Sequence, residues 1–494
     1  MKTYTKLFVL TALSLTVGCK KYLDKDPIGL LTADQVLGEP TANTIAGGVA
    51  NSYHLLSNTL NILGDWNWPA GLVLRDDFII QDIASGDALK KWNPDGDQAW
   101  MDQVADFSFT SENGAFNGTW TYDYEGIARV NQPISLLKDD AVVQKVGMDA
   151  GTRNRLLGEA SFLRAMYYFD LVVNFGDVPL ILKPLKTFNE AYEVSKRESK
   201  DKVWAQINAD LDQAVSLLPN SKFSSDTEKW RASKGAAIAM QAKVALYLEQ
   251  WQRVVDKVNE LNTLNFYHLN TNYFDSFDVT KEFADHEVIF AYDHRQGVQP
   301  RRGNGLTALL GWGFLAPSTN FLNAFEANDP RLNYTVNVGD QAIYKILGNT
   351  TTANKGNDDA PSNRIFIRYA DVVLWKAEAL NELKDFPGAI ALINDLRSRA
   401  RNTPIIGGGT APAGTLAARP ASTDQNQIKT WLMQERRVEL GFESHRFNDL
   451  RRWKTAKTVL TAMGKNFNDK NYLYPIPQGE VDKTAGVIFQ NPGY

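Results

Sequence analysis

The sequence predicts a mainly α-helical protein made of helical hairpins, with loop-rich segments between them and a few short strands. Three observations carry this. In 155–175, Phe162, Met166, Phe169 and Val173 recur at i, i+4, i+7 and i+11, the period of a helix face. Residues 232–263 and 369–400 each read as two apolar-striped helices joined by a short break. The stretches 60–125 and 265–360 hold no such period and are rich in Gly, Asn, Asp and aromatics.

The chain opens with Lys2 and Lys6, an apolar run over 7–17, and Gly18 before Cys19. That layout is expected to be a secretory signal over 1–18, since the run is too short for a permanent membrane span. Cys19 is the single cysteine of 494 residues, so it has no internal disulfide or metal-site companion. Lipid acylation of Cys19 best explains it; ordinary signal cleavage beside an incidental cysteine is the alternative. Residues 19–40 then form a polar, lipidated tether, and 41–494 form the folded body.

Within that body, a second stripe in 155–175 (Leu156, Ala160, Leu163, Tyr167) makes the helix apolar on two faces, which places it in the interior. Gly176 and Pro179 stop it. Val203, Ile207, Leu211, Ala214 and Leu218 give a single-stripe helix before Pro219. In the two hairpins, small residues such as Ala237, Ala242 and Ala377 let the second helix approach the first closely. Asp385 is the expected N-cap of the last of these helices, with Pro387 in its first turn. Such hairpins are tetratricopeptide-like without a clean 34-residue period. Residues 288–292 and 343–347 are expected as short strands. Residues 402–424, with Gly407, Gly408 and Gly409, read as a surface loop.

Composition narrows the function. Loss of the two lysines in 1–18, a stretch without acids, takes the formal net charge from −4 to −6. A mildly acidic chain has no broad attraction for nucleic acid or anionic lipid, so neither is an expected partner. Catalytic signatures are missing: the five histidines form no HExxH pair, and no G-x-S-x-G elbow occurs. The run Asp95, Gly96, Asp97 is a fragment of a calcium loop without its terminal Glu. No catalytic residue, metal site or cofactor is expected. Glu435, Glu439 and Glu443 share one helical row with arginines on neighbouring rows, which favours interlocked salt bridges over a ligand site.

A set of motifs in fixed order then resembles one family. They are CKKYLDKDP (19–27), GEASFLRAMYYFDLV (158–172), FGDVPL (175–180), AFEANDPRL (324–332), RYADVVL (368–374) with AEA (377–379), ERRVEL (435–440), DLRRW (449–453), YPIP (474–477) and QNPGY (490–494). The chain resembles the SusD/RagB family of outer-membrane lipoproteins of Bacteroidetes over nearly its whole mature length. The resemblance implies tetratricopeptide-like hairpins with irregular segments carrying a ligand face. It also implies capture of nutrients, usually oligosaccharides, at the cell surface, and a lid role over a SusC-like TonB-dependent transporter. Cys19 would then anchor the protein in the outer membrane, facing the exterior.

The family motifs are scaffold signatures, so ligand residues are chosen by chemistry. Sugar rings present apolar C–H faces that suit flat aromatic side chains, with amides and charged groups for the hydroxyls. Trp66, Trp68, Trp92, Trp100 and Trp120 crowd the first irregular region, and Tyr292, Trp312 and Phe314 the second, with Arg295 and Arg301 near. The expected contacts are Trp92, Trp100 and Trp312, with Asp76, Asn93 and Arg301 as polar partners; core packing is the alternative for each aromatic. The leading function is therefore glycan capture without catalysis. The alternatives are a tetratricopeptide-like scaffold for protein partners and, behind it, a surface glycosidase.

Overall fold

A computed structural model of the chain describes residues 39–64, 66–91, 96–220, 231–281, 286–299 and 302–494. Signal, Cys19 and most of the tether fall outside these. Helix α1 (Ala42–Tyr53) is started by a capping box between Thr41 and Thr44. Helix α2 (Gly114–Lys138) is capped by Asn113, and α3 (Ala150–Phe175) by Asp149. The two-faced pattern of α3 has the expected result: it is buried along most of its length, between α2 and α4 (Lys200–Leu217). Gly176 ends it at φ 76°.

Both expected hairpins form. The first is α5 (Lys234–Tyr247) with α6 (Trp251–Thr263), its break falling at Gln250. Helix α7 (Leu306–Trp312) follows in the second irregular region. The second hairpin is α8 (Tyr369–Glu382) with α9 (Phe386–Asn402), where the Asp385 side chain accepts from the Gly388 N–H. Helix α10 (Gln425–Glu439) closes over it, and Ala377, Ile393, Leu396 and Leu432 form a core shared by the three. The remaining apolar interior, from Ile45 to Ile488, is one continuous core.

Strand β1 (Val288–Tyr292) forms where expected and pairs antiparallel with β2 (Arg364–Arg368). Residues 343–347 do not form a strand. Only Ala342–Ile343 is extended, and Tyr344–Leu347 is a helical turn ended by Gly348 at φ 73°. The first irregular region is also more helical than expected, because Ala99–Asp106 is a helix and α2 starts at Gly114. Trp120 consequently lies in α2 and is buried.

Glu435, Glu439 and Glu443 are the centre of a buried ion-pair network, although they do not share the expected helical row: α10 ends at Glu439, and Phe442 at φ 61° turns the chain before Glu443. The Arg368 guanidinium donates to Glu287 (2.6 Å), Glu439 (2.8 Å) and Glu443 (2.7 Å). Arg331 donates to Glu439 at 3.0 Å, Arg399 also donates to Glu439, and Lys345 donates to Glu443 at 2.7 Å. The partners come from distant segments. The neighbouring Arg436 turns away, to Asp371 (2.8 Å) and Asp449 (3.0 Å). Planar guanidinium groups satisfy several carboxylates at once, which is what burial of so many charges demands.

Candidate functional site

Four aromatic rings from the two irregular regions meet at the surface. Trp66 and Trp68 come from the loop before α2; Trp312 and Phe314 come from the end of α7 and the residues after it. Trp68 stands in the middle, 6.3 Å from Trp66 at 90°, 6.3 Å from Trp312 at 67°, and 5.4 Å from Phe314 at 35°. Trp68 and Phe314 are half-buried against the core, whereas Trp66 is 54% and Trp312 42% exposed. The inner pair acts as a footing for two rings offered to solvent. Edge-to-face contacts at these separations are favourable in themselves and stiffen the group.

Local backbone chemistry explains why the loop sits there. The Asn67 side chain accepts from the Ala70 N–H, the Leu72 N–H reaches the Asn67 carbonyl at 3.1 Å, and Asn117 of α2 donates to the Ala70 carbonyl at 2.8 Å. Gly71 takes φ 70°, and a Cβ there would stand 2.1 Å from the Gly114 carbonyl oxygen. A Cβ on Gly118 would stand 2.3 Å from the Gly71 carbonyl oxygen. The loop is thus seated directly on the first turns of α2, an approach that only residues without a side chain permit. On the other side, Gly313 at φ 85° ends α7, and the Phe314 N–H returns to the Leu309 carbonyl. The Lys91 N–H donates to the Gly313 carbonyl at 2.8 Å and ties the two regions together.

Of the six contacts chosen from sequence, Trp312 is in this group. Trp92, Asn93 and Arg301 lie outside the described residues. Trp100 is not in the group: it is half-buried in its short helix, with its indole N–H on the Gln98 side-chain oxygen at 2.8 Å. Asp76 needs correction. It was expected to face a ligand, but it is only 3% exposed and sits under Gly71 and Gly118. One of its carboxylate oxygens has no hydrogen-bond partner, and burial together with Asp77 pushes its pKa well above the carboxylate range. The ionic partner in that place is Arg75, which donates to Asp77, Asp123 and Asp170 instead. Trp66, Trp68 and Phe314 stand out in the sequence only as members of the aromatic-rich stretches. Composition marks the aromatic-rich stretches; it does not tell which rings pair across them.

An interior cavity of about 110 Å³, lined by Asp82, Asp170, Lys243, Arg364, Glu443 and His445 among others, is smaller than ligand sites usually are. No group of three or more His, Cys, Asp or Glu that could hold a metal occurs among the described residues. No helix there is long and apolar enough to cross a membrane.

Two family models match. Residues 327–494 match the SusD family, and residues 76–246 match a family described as starch-binding and associating with the outer membrane. The chain is 27% identical to SusD-like protein P2 of Formosa agariphila over the full length of both. Its fold superposes on a laminarin-binding SusD-like protein with a TM-score of 0.72 at 25% identity, over 92% of this chain and all of that one. Surface glycan-binding protein A from Bacteroides fluxus gives a TM-score of 0.73 at 24% identity, again over 92% and 100%. Helical hairpins in this order, with both models and these relatives in agreement, define the class. The chain belongs to the SusD/RagB family.

Proposed function

We propose that this protein captures oligosaccharides at the cell surface without cleaving them, and passes them to a SusC-like TonB-dependent transporter that it covers as a lid. The observation that carries the reading is the pair of exposed indoles, Trp66 and Trp312, held by Trp68 and Phe314. Exposed large aromatics fixed by their neighbours lose little freedom when a sugar ring stacks on them, and this is where a flat apolar ligand face gains most. A laminarin-binding relative and a neighbour of the same fold solved in complex with laminarihexaose support glycan as the ligand class. Anchoring at Cys19 in the outer membrane, facing outward, completes the reading; the starch-binding family's association with that membrane supports it.

The test is binding of the full chain to a panel of oligosaccharides, with chromatography of the same mixtures. Retention of at least one oligosaccharide, unchanged after incubation, is the expected result. Shortened products that disappear on substitution of two facing carboxylates would make the protein a glycosidase instead. Co-purification from membranes should bring down a TonB-dependent transporter. Recovery of other partners alone would favour a protein scaffold.

A further inference from the structure

A second concavity lies at the other end of α7. It measures about 330 Å³ and is lined by Tyr53, His54, Tyr292, Asp293, Arg295 and Arg302, with half-exposed Val298 on its edge. That volume falls within the usual range of small-molecule sites. Its frame is well fixed. The Arg295 N–H donates to the Arg302 carbonyl at 3.2 Å, and a ring nitrogen of His294 lies 2.9 Å from the same carbonyl. The Asp359 carboxylate accepts from the N–H groups of Gly297 (2.8 Å) and Gly303 (3.0 Å).

The charges in this hollow do not balance. Arg295 holds Asp293 at 2.7 Å, and burial raises the pKa of that carboxyl. His54 is kept uncharged at neutral pH, pushed down to about 4 by burial and by the nearby Arg302 and Arg129. Arg302 also attracts Asp293 without forming an ion pair with it, so two arginines face one carboxyl and a positive charge is left over. The Arg302 Nε is shut away from solvent with no hydrogen-bond partner, and among the described residues no carboxylate pairs with its guanidinium. A guanidinium offers five N–H donors in a fork that matches carboxylate and sulfate oxygens, and leaving such donors unmet in a half-buried place is costly. On a chain of net charge −4 this is a local excess of positive charge inside a partly apolar hollow.

We infer that the hollow is a subsite for an anionic substituent of a bound glycan, a carboxylate or a sulfate ester, with Arg302 as its partner and the Tyr292–His54 wall against the sugar ring. This rests on the glycan-binding reading above and narrows it to acidic oligosaccharides. Arg302 lies four residues before α7, the helix of about 10 Å that ends at Trp312.

The experiment is calorimetric titration of the full chain with three hexasaccharides: oligogalacturonate, a sulfated galactan and uncharged laminarihexaose. At least one charged probe should bind about tenfold or more tightly than laminarihexaose, and the gap should shrink as salt is raised. Arg302→Gln should remove the gap while leaving laminarihexaose binding and the melting temperature unchanged; Arg302→Lys should keep part of it. Preference for the uronate assigns the subsite to carboxylate, and preference for the galactan assigns it to sulfate. Equal affinity for all three, or a gap that survives Arg302→Gln, overturns the inference. If the oligosaccharide panel shows a neutral glycan held through Trp312 while neither charged probe gains, this inference fails alone. If no glycan binds at all, the reading it rests on fails with it.

Discussion

Trp100 and Trp312 are both tryptophans in stretches without helical period, yet their surroundings give them different work. Trp312→Ala removes an exposed ring from the platform and should weaken oligosaccharide binding about tenfold or more, with little change in melting temperature. Trp100→Ala should leave affinity unaltered and cost about 2 kcal/mol of stability through lost packing, read by denaturant unfolding. Glu443 provides a second residue-scale test. Arg368 and Lys345 overcome burial and pull its pKa down from 4.5 to about 2. A carboxylate depressed on folding stabilises fully above its unfolded pKa, and that stability is lost as pH falls toward the folded value. Melting temperature should therefore drop between about pH 4.5 and pH 2. Glu443→Gln should lower stability at pH 7 by about 3 kcal/mol and flatten the acid limb; an unchanged limb would remove Glu443 from the network. At this scale the sequence told aromatic-rich stretches from core helices, but Asp76 shows the limit. Its burial follows from Gly71 and Gly118 meeting across 47 residues, a contact that local pattern does not encode.

Long elements were the most legible. Helix α3 and both hairpins follow from apolar period, caps and stops, because many residues vote for one face. The strand expected over 343–347 illustrates the opposite case. Five residues carry too little pattern to separate strand from helical turn, and Gly348 in the left-handed region decides for the turn. The same seating that hides Asp76 gives an element-scale test. Gly118→Ala in an isolated helix would stabilise by about 1 kcal/mol. Here its Cβ would meet the Gly71 carbonyl at 2.3 Å, so the variant should lose about 1–3 kcal/mol and weaken glycan binding by shifting Trp66 and Trp68. Thermal unfolding and titration on one preparation check both halves. Asp385→Ala removes the cap of α9 and should cost about 1 kcal/mol without touching binding, which provides a control.

On the scale of the whole molecule, a helical body and two loop-rich regions play different parts while sharing one buried ion-pair network. Helices α2 to α6 share one continuous core, while the Arg331, Arg368, Arg399, Glu439 and Glu443 network ties α9 and α10 to the second loop-rich region. Two loop-rich insertions meet where Trp68 packs on Trp312 and Phe314, at the Lys91–Gly313 hydrogen bond, and where Ala88–Leu89 pairs with Ala316–Pro317. This division explains why family motifs were readable while the ligand face was not. Scaffold residues answer to helix geometry, whereas platform residues answer to a ligand absent from the chain's own pattern. The central claim is that the Trp66–Trp312 platform is where glycan is held, and its most direct test is an oligosaccharide array probed with the wild-type full chain and with the Trp66→Ala, Trp312→Ala double variant. The expected result is a defined set of bound glycans for the wild type and loss of that set for a variant that melts at the same temperature. Binding retained in the double variant, or no glycan bound by the wild type, would contradict it.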